Sequence, residues 1–273
     1  LKLKDNRITF IDLFCGCGGI IQGFTEQGFE LISGIDNEET MIETYNQNFD
    51  GKGIVEDLIK YGPIKFAKTL NLDKNSIDVI VGGPPCQGFS MANMWDKEKN
   101  DPRNDLFNNF VDYILYFEPE VFMMENVKGI LSAKKWSIKS AISDKLKDKD
   151  YIIHDPKILN ASNYGIPQKR ERVFFIGTKK GLNFKYPSRQ EEKITVKDAL
   201  SDLYKYEGKN NDDPVKYKRK PLSKFQEHMR KSATMLFNHE PRMPAESTQQ
   251  KIREVPQGGN WKDIPEHFFN NNR

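Results

Sequence analysis

The sequence predicts an α/β protein built on a doubly wound, mostly parallel sheet. Two observations carry that prediction. Short β-branched and aromatic runs alternate with helix-like stretches over the first 180 residues. Where those runs stop, glycines, carboxylates or a stiff proline loop follow at once, and in open α/β sheets ligands gather at the carboxyl ends of strands. The pattern therefore predicts a site as well as a fold.

The elements follow in order. Residues 7–14, with Ile8, Thr9, Phe10 and Ile11, read as a strand, and the glycine cluster Gly16, Gly18 and Gly19 comes directly after it. An amphipathic run at 20–27 reads as a helix and the apolar run 29–35 as a second strand; residues 40–48 form another helical stretch. Residues 77–81 are a buried strand running into Gly82-Gly83-Pro84-Pro85, residues 121–124 another that runs into Glu125-Asn126, and 173–176 close the series. After Thr178 the periodicity weakens and Lys, Asn and Pro become frequent, so the remainder is expected to start a second, smaller domain.

The 273 residues are 37% hydrophobic and 30% charged, enough chain for a sizeable core. No stretch approaches the roughly 18 to 20 apolar residues of a membrane span, and no signal peptide opens the chain. Cys15, Cys17 and Cys86 are too few for a disulfide framework, which favours a reducing, cytoplasmic setting with no membrane partner. The net charge of +3 hides an asymmetry: residues up to Thr178 carry −4, and those from Lys179 onward +7. A basic second part fits contact with a polyanion or a lysine-rich solvated surface, and charge alone does not choose between them.

Four motifs carry chemistry. In Asp12-Leu13-Phe14-Cys15-Gly16-Cys17-Gly18-Gly19 a strand turns into a helix through glycines that let a ligand approach the backbone. As a dinucleotide fingerprint it fails, because Ile21 stands at the third glycine position. Asp36 follows about 20 residues on, at the next strand end, where a carboxylate accepts from ribose hydroxyls. A nucleoside-like ligand without a pyrophosphate results, and S-adenosylmethionine has that shape. Cys15 and Cys17 lack the paired partners of a zinc site, so no metal is expected. Gly82-Gly83-Pro84-Pro85-Cys86-Gln87-Gly88-Phe89-Ser90 holds a thiol on a stiff loop after a buried strand, the placement of a nucleophile. Glu125-Asn126-Val127 sets a carboxyl at another strand end, partly desolvated and suited to work as an acid. The alternation Gln168, Arg170, Arg172 puts three polar groups on one face for carbonyl or phosphate oxygens.

Through these residues, in order and spacing, the chain resembles a DNA (cytosine-5) methyltransferase of the bacterial modification type. The likeness covers roughly residues 8 to 200, and Asp57 stands at the family's adenine-binding acidic position. One departure is Asp36, where the family usually has glutamate. The resemblance implies Cys86, Glu125, Arg170 and Arg172 as catalytic residues. It implies cofactor contacts from Phe14, Cys15, Gly16, Cys17, Gly19, Asp36, Asn37, Asp57, Leu58, Pro85 and Leu106. Substrate contacts fall to Gln87, Ser90, Asn126, Val127 and Gln168.

The implied cofactor is S-adenosylmethionine, with S-adenosylhomocysteine as product, and the implied substrate is duplex DNA in a prokaryotic nucleoid. Transfer RNA is the alternative acceptor, since a related family methylates RNA with nearly the same motifs; a catalytically idle DNA-binding or regulatory subunit is the other. Residues 1–200 are expected to form the cofactor-binding and catalytic domain. Residues 201–273 would be a basic linker and the beginning of a target-recognition region. The family's closing segments are not found, and Gly258-Gly259-Asn260 does not stand in for them. A truncated enzyme is one reading, and a second polypeptide supplying recognition and closing segments is the favoured expectation.

Overall fold

The computed structural model describes residues 7–85, 104–203, 214–239 and 243–269, the side chains of residues 104–105 and 132–137 excepted. Cys86, Gln87 and Ser90 lie outside the described residues. The chain divides into two compact units, Leu1–Lys193 and Ile194–Arg273.

The first unit is an eight-stranded sheet with helices on both faces. In chain order it contains β1 (Thr9–Leu13), α1 (Gly19–Glu26), β2 (Glu30–Asp36), α2 (Glu39–Asn48), β3 (Gly53–Val55) and α3 (Pro63–Leu70). There follow β4 (Val79–Gly82), α4 (Asn104–Phe117), β5 (Val121–Val127), α5 (Gly129–Lys145), β6 (Tyr151–Ile153), β7 (Lys157–Asn160) and β8 (Glu171–Lys179). The strand order is β3-β2-β1-β4-β5-β8-β6, with β7 also paired to β8. Strands β1 to β5 run parallel; β8 is antiparallel to β5, and β6 and β7 are antiparallel to β8. The order reverses between β1 and β4, which makes their carboxyl ends the crevice of the sheet.

Alternation along the strands divides the core. Phe10, Val79 and Val81 pack with Ile21 of α1 and with Ile42 and Tyr45 of α2. Their neighbours Ile11, Leu13 and Ile80 go to the other face, with Phe66 of α3, Phe110 and Phe117 of α4, and Ile138 and Ile142 of α5. Both faces of β1 and β4 are thus covered, as a central parallel strand requires. Two glycines are forced by the packing. Gly18 caps α1 at φ 93°, and a Cβ there would come within 2.2 Å of the Phe49 ring. At Gly82 a Cβ would meet the Leu13 carbonyl at 2.5 Å, across the β1–β4 pair.

Two strands outrun their apolar cores. β5 continues through Glu125, Asn126 and Val127, and β8 begins at Glu171, because the antiparallel ladder pairs them from Val127↔Arg172 to Val121↔Thr178. Glu125 therefore sits within a strand, held at a fixed register, rather than just past one.

The second unit contains α6 (Val196–Leu200), β9 (Val215–Lys216), α7 (Lys224–Met229), β10 (Met235–Leu236) and α8 (Glu246–Arg253). β9 and β10 form a two-stranded antiparallel sheet. Thr195 and Asp198 make a capping box on α6, and the Asp198 carboxyl is held below its usual range by its bonds from Thr195. The carboxylate of Asp202, only 2% exposed, pairs with Arg230 Nη1 at 2.9 Å.

Candidate functional site

Four parallel strands bring their carboxyl ends to one edge. Phe14 leaves β1 with φ 61°, and the Cys15 amide donates to the Ile35 carbonyl of β2 at 3.0 Å, so the glycine loop is tied to the neighbouring strand. Asp36, the last residue of β2, closes that loop. Its Oδ2 accepts from the Gly16 amide at 2.9 Å and its Oδ1 from the Glu38 amide at 3.1 Å. Each carboxylate oxygen keeps further acceptor capacity for a ribose hydroxyl. Asp57 lies just beyond β3, its Oδ1 accepting from the Ile59 amide at 2.9 Å. Gly16 and Gly19 face open space, and Asn37 and Cys17 are exposed.

Beneath the loop lies Asp12, fully buried, with neither carboxylate oxygen hydrogen-bonded. Burial first, and Asp36 second, push its carboxyl well above the usual carboxylate range. Burial likewise raises the thiol of Cys15, so this cysteine stays a neutral lining group. Open glycines and two strand-end carboxylates suit a nucleoside carrying a cationic amino-acid tail. The donor set therefore fits S-adenosylmethionine.

The second half of the site lies where β4 and β5 end and β8 begins. Glu125 is opposite Phe174, and Arg172 is opposite Val127, so Glu125 and Arg172 are diagonal neighbours on one face of the β5–β8 pair. Arg172 Nε reaches Glu125 Oε1 at 2.9 Å, and Arg170 Nη2 stands 3.6 Å from the same oxygen. The Arg172 guanidinium also donates to the Glu171 carbonyl at 2.9 Å, which fixes its plane. The desolvation expected of Glu125 is present, its side chain being 20% exposed, but it comes with a guanidinium partner.

Asn126 points the other way. It is buried, donates from Nδ2 to the Pro84 carbonyl at 2.8 Å and accepts at Oδ1 from the Val127 amide at 2.8 Å. Both ends of its amide are thus engaged inside the protein, and they lock the proline loop to β5. The Gly83 amide donates to the Leu13 carbonyl at 3.3 Å, and a Cβ at Gly83 would stand 3.7 Å from Glu125 Oε2. The loop that leads into Cys86 therefore rests directly against the carboxylate.

The remaining expected residues distribute as follows. Gln168, Arg170, Arg172 and Val127 line one hollow, together with Lys128, Asn160, Lys169 and Glu171. Pro85 is exposed at the loop, and Leu106 is half-buried in the first turn of α4. Leu58 is buried in the core, so it can offer a ligand only its backbone. Sequence reasoning missed Lys128 and Glu171, which pair at 2.5 Å across the mouth of the hollow. Their signal was the position of Lys128 directly after Glu125-Asn126-Val127. Among the described residues no group of three or more His, Cys, Asp or Glu side chains is gathered to hold a metal ion. No described helix is long and apolar enough to cross a membrane.

The fold and the strand-end carboxylates define a nucleoside-cofactor domain of the methyltransferase type. Comparison with known proteins narrows the class. The sequence profile of C-5 cytosine-specific DNA methylase matches residues 8–265, and the chain belongs to that family. It is 38% identical to the type II methyltransferase M.DdeI of Desulfomicrobium norvegicum, a match covering 85% of this chain and 57% of the relative. It is 33% identical to M1.HphI of Haemophilus parahaemolyticus, over 95% of this chain and 64% of the relative. Among solved structures, a putative DNA modification methyltransferase encoded within an E. coli prophage superposes with a TM-score of 0.68 at 32% identity. That match covers 81% of this chain and 63% of that one. The chain thus spans less than two thirds of the length of each of these relatives.

Proposed function

We propose that the chain carries the cofactor-binding and catalytic parts of an enzyme that methylates C5 of cytosine in duplex DNA, within a bacterial restriction-modification system. The observation that carries this reading is the Glu125–Arg172 pair, fixed by the β5–β8 register against the loop that leads into Cys86. When bound, S-adenosylmethionine supplies an electrophilic methyl group. Everything else falls to the chain and its substrate.

Cytosine C5 is a weak nucleophile until electrons are pushed into the ring. The Cys86 thiolate does that by adding to C6. Glu125 hands a proton to N3 as charge builds there, a contribution typically of about 10²- to 10⁴-fold. Arg172 moves from the carboxylate to the cytosine O2, and Arg170 steadies the carboxylate or a phosphate. Gln168 and Val127, on the wall of the same hollow, bound the base. Once C5 has been methylated, its proton passes to solvent, the C5–C6 double bond re-forms as Cys86 leaves as thiolate, and N3 returns its proton to Glu125, which restores the enzyme. The target base has to leave the helix, at a cost of a few kcal/mol. Asp36 and Asp57 accept from the ribose and the adenine of the cofactor, with Phe14 and Asn37 at the rim.

We further propose that recognition and closing segments come from a second polypeptide, and that the assembly works on cytoplasmic, nucleoid-associated DNA. The experiment for the chemistry is a trap. Duplex DNA carrying 5-fluorocytosine at the target cannot release its C5 substituent, so it should remain covalently attached to wild-type protein and not to Cys86→Ala. An adduct that survives Cys86→Ala, or none at all in a methylating assembly, overturns the mechanism.

A further inference from the structure

The residues that follow α6 in the second unit contain a feature the catalytic site does not use. Between Lys216 and Lys224 stand five basic residues, Lys216, Lys218, Arg219, Lys220 and Lys224, and no acidic one. All five are exposed. Among the described residues no carboxylate pairs with Lys216, Lys220 or Lys224, which leaves three full positive charges facing solvent.

A solvated lysine run needs no scaffold, yet this one has a rigid one. Arg230 lies with its guanidinium 3.7 Å from the centre of the Tyr217 ring, binds the buried carboxylate of Asp202 at 2.9 Å, and donates to the Arg219 carbonyl at 2.8 Å. The Arg219 guanidinium donates to the Ser201 carbonyl at 3.3 Å. Farther along, the Leu222 amide donates to Gln226 Oε1 at 2.6 Å, while Gln226, 1% exposed, also reaches Ser201 Oγ at 2.9 Å. Ser223 then caps α7 and donates to the Asp198 carbonyl at 2.6 Å. A buried ion pair carries a desolvation cost, so its use to pin an exposed loop is notable. The inner side chains (Tyr217, Ser223) hold the segment; the outer ones are left to a ligand.

We infer that residues 216–224 form a binding site for the phosphodiester backbone of duplex DNA, with Lys216, Lys220 and Lys224 as its phosphate contacts. Lysine ammonium groups bind phosphate as point charges and release counterions, without reading bases. The site therefore adds affinity that is independent of sequence and falls with salt. Only the identity of the polyanion rests on the methyltransferase reading; the patch itself is read from charge and anchoring.

The test compares wild-type protein with a triple variant, Lys216→Ala, Lys220→Ala and Lys224→Ala, on an unmodified duplex of arbitrary sequence between about 50 and 200 mM salt. Each lost phosphate contact should make the slope of log Kobs against log salt shallower by about 0.9, so a change of about 2 to 3 is expected. Binding of S-adenosylhomocysteine and the melting temperature should stay as in wild type. The matching Lys→Arg triple should keep the wild-type slope, which guards against a folding defect. An unchanged slope in the alanine triple, a lost slope in the arginine triple, or a wild-type chain without affinity for duplex overturns the site. So does a larger loss on transfer RNA than on duplex. The 5-fluorocytosine adduct judges the catalytic reading separately: an adduct with an unchanged slope sinks the patch alone, and a changed slope without an adduct sinks the chemistry alone.

Discussion

At the scale of single residues, the most informative side chain is one that the proposed chemistry leaves idle. Asp12 is fully buried with no hydrogen bond to either oxygen, and it holds its proton to higher pH folded than unfolded. Below the unfolded value both states are protonated and the group is neutral toward stability. As pH rises from about 4 toward the raised folded value, the unfolded state ionises first and the fold loses stability, by at most about 1.4 kcal/mol per pH unit. Asp12→Asn removes that titration. The gap between variant and wild-type urea midpoints should widen in favour of the variant as pH rises above about 4. A gap that does not vary with pH would show that Asp12 is compensated in the folded chain. The sequence placed Asp12 in the glycine-loop motif, but nothing in the motif revealed its solitude. Nor does it reveal that the Tyr45 hydroxyl, which lies over Gly34, is likewise buried without a hydrogen bond.

At the scale of elements, sequence legibility followed the apolar runs. β1, β2, β4, β5 and β8 were each readable because β-branched and aromatic residues cluster there, and α1 and α2 because their periodicity is helical. β3 and β6 have three residues each, too few to show a period. The direction of β8 was also hidden. Nothing in Val173-Phe174-Phe175-Ile176 says that it runs against β5, and the Glu125–Arg172 contact depends on that antiparallel register. The sequence thus offered the right residue types for the site without their pairing. The join between β4 and β5 makes the corresponding prediction. Asn126→Ala leaves the buried Pro84 carbonyl without its donor, which should destabilise the protein by about 1 to 3 kcal/mol. It should also slow single-turnover methyl transfer in the competent assembly more than it weakens cofactor binding, because the loop that it releases carries the proposed nucleophile and, of the proposed cofactor contacts, Pro85 but not Asp36 or Asp57. Equal losses in both would place Asn126 in the cofactor pocket.

At the scale of the whole molecule, the charge asymmetry and the placement of the site answer separate questions. The acidic stretch coincides with the sheet whose strand ends bear Asp36, Asp57 and Glu125; the basic stretch includes the anchored lysines of the second unit. Phe14, the glycine loop, Asp36, Asp57 and Pro85 all lie within residues 14–85, at the ends of four adjacent parallel strands. That segment gathers the proposed ligand groups through contacts internal to the sheet, such as Gly16 to Asp36 and Cys15 to Ile35. A pocket preorganised in this way does not need DNA to form. The chain by itself should therefore bind S-adenosylhomocysteine, as calorimetry would register. The proposed second polypeptide should tighten that binding by covering the open side at Gly16 and Gly19, at least tenfold or about 1.4 kcal/mol. Methyl transfer to duplex DNA should appear only in the mixture, at a native mass above the 31.7 kDa of this chain. Full transfer by the chain alone would remove the need for a partner. Absence of cofactor binding in both the chain and the mixture would remove the pocket.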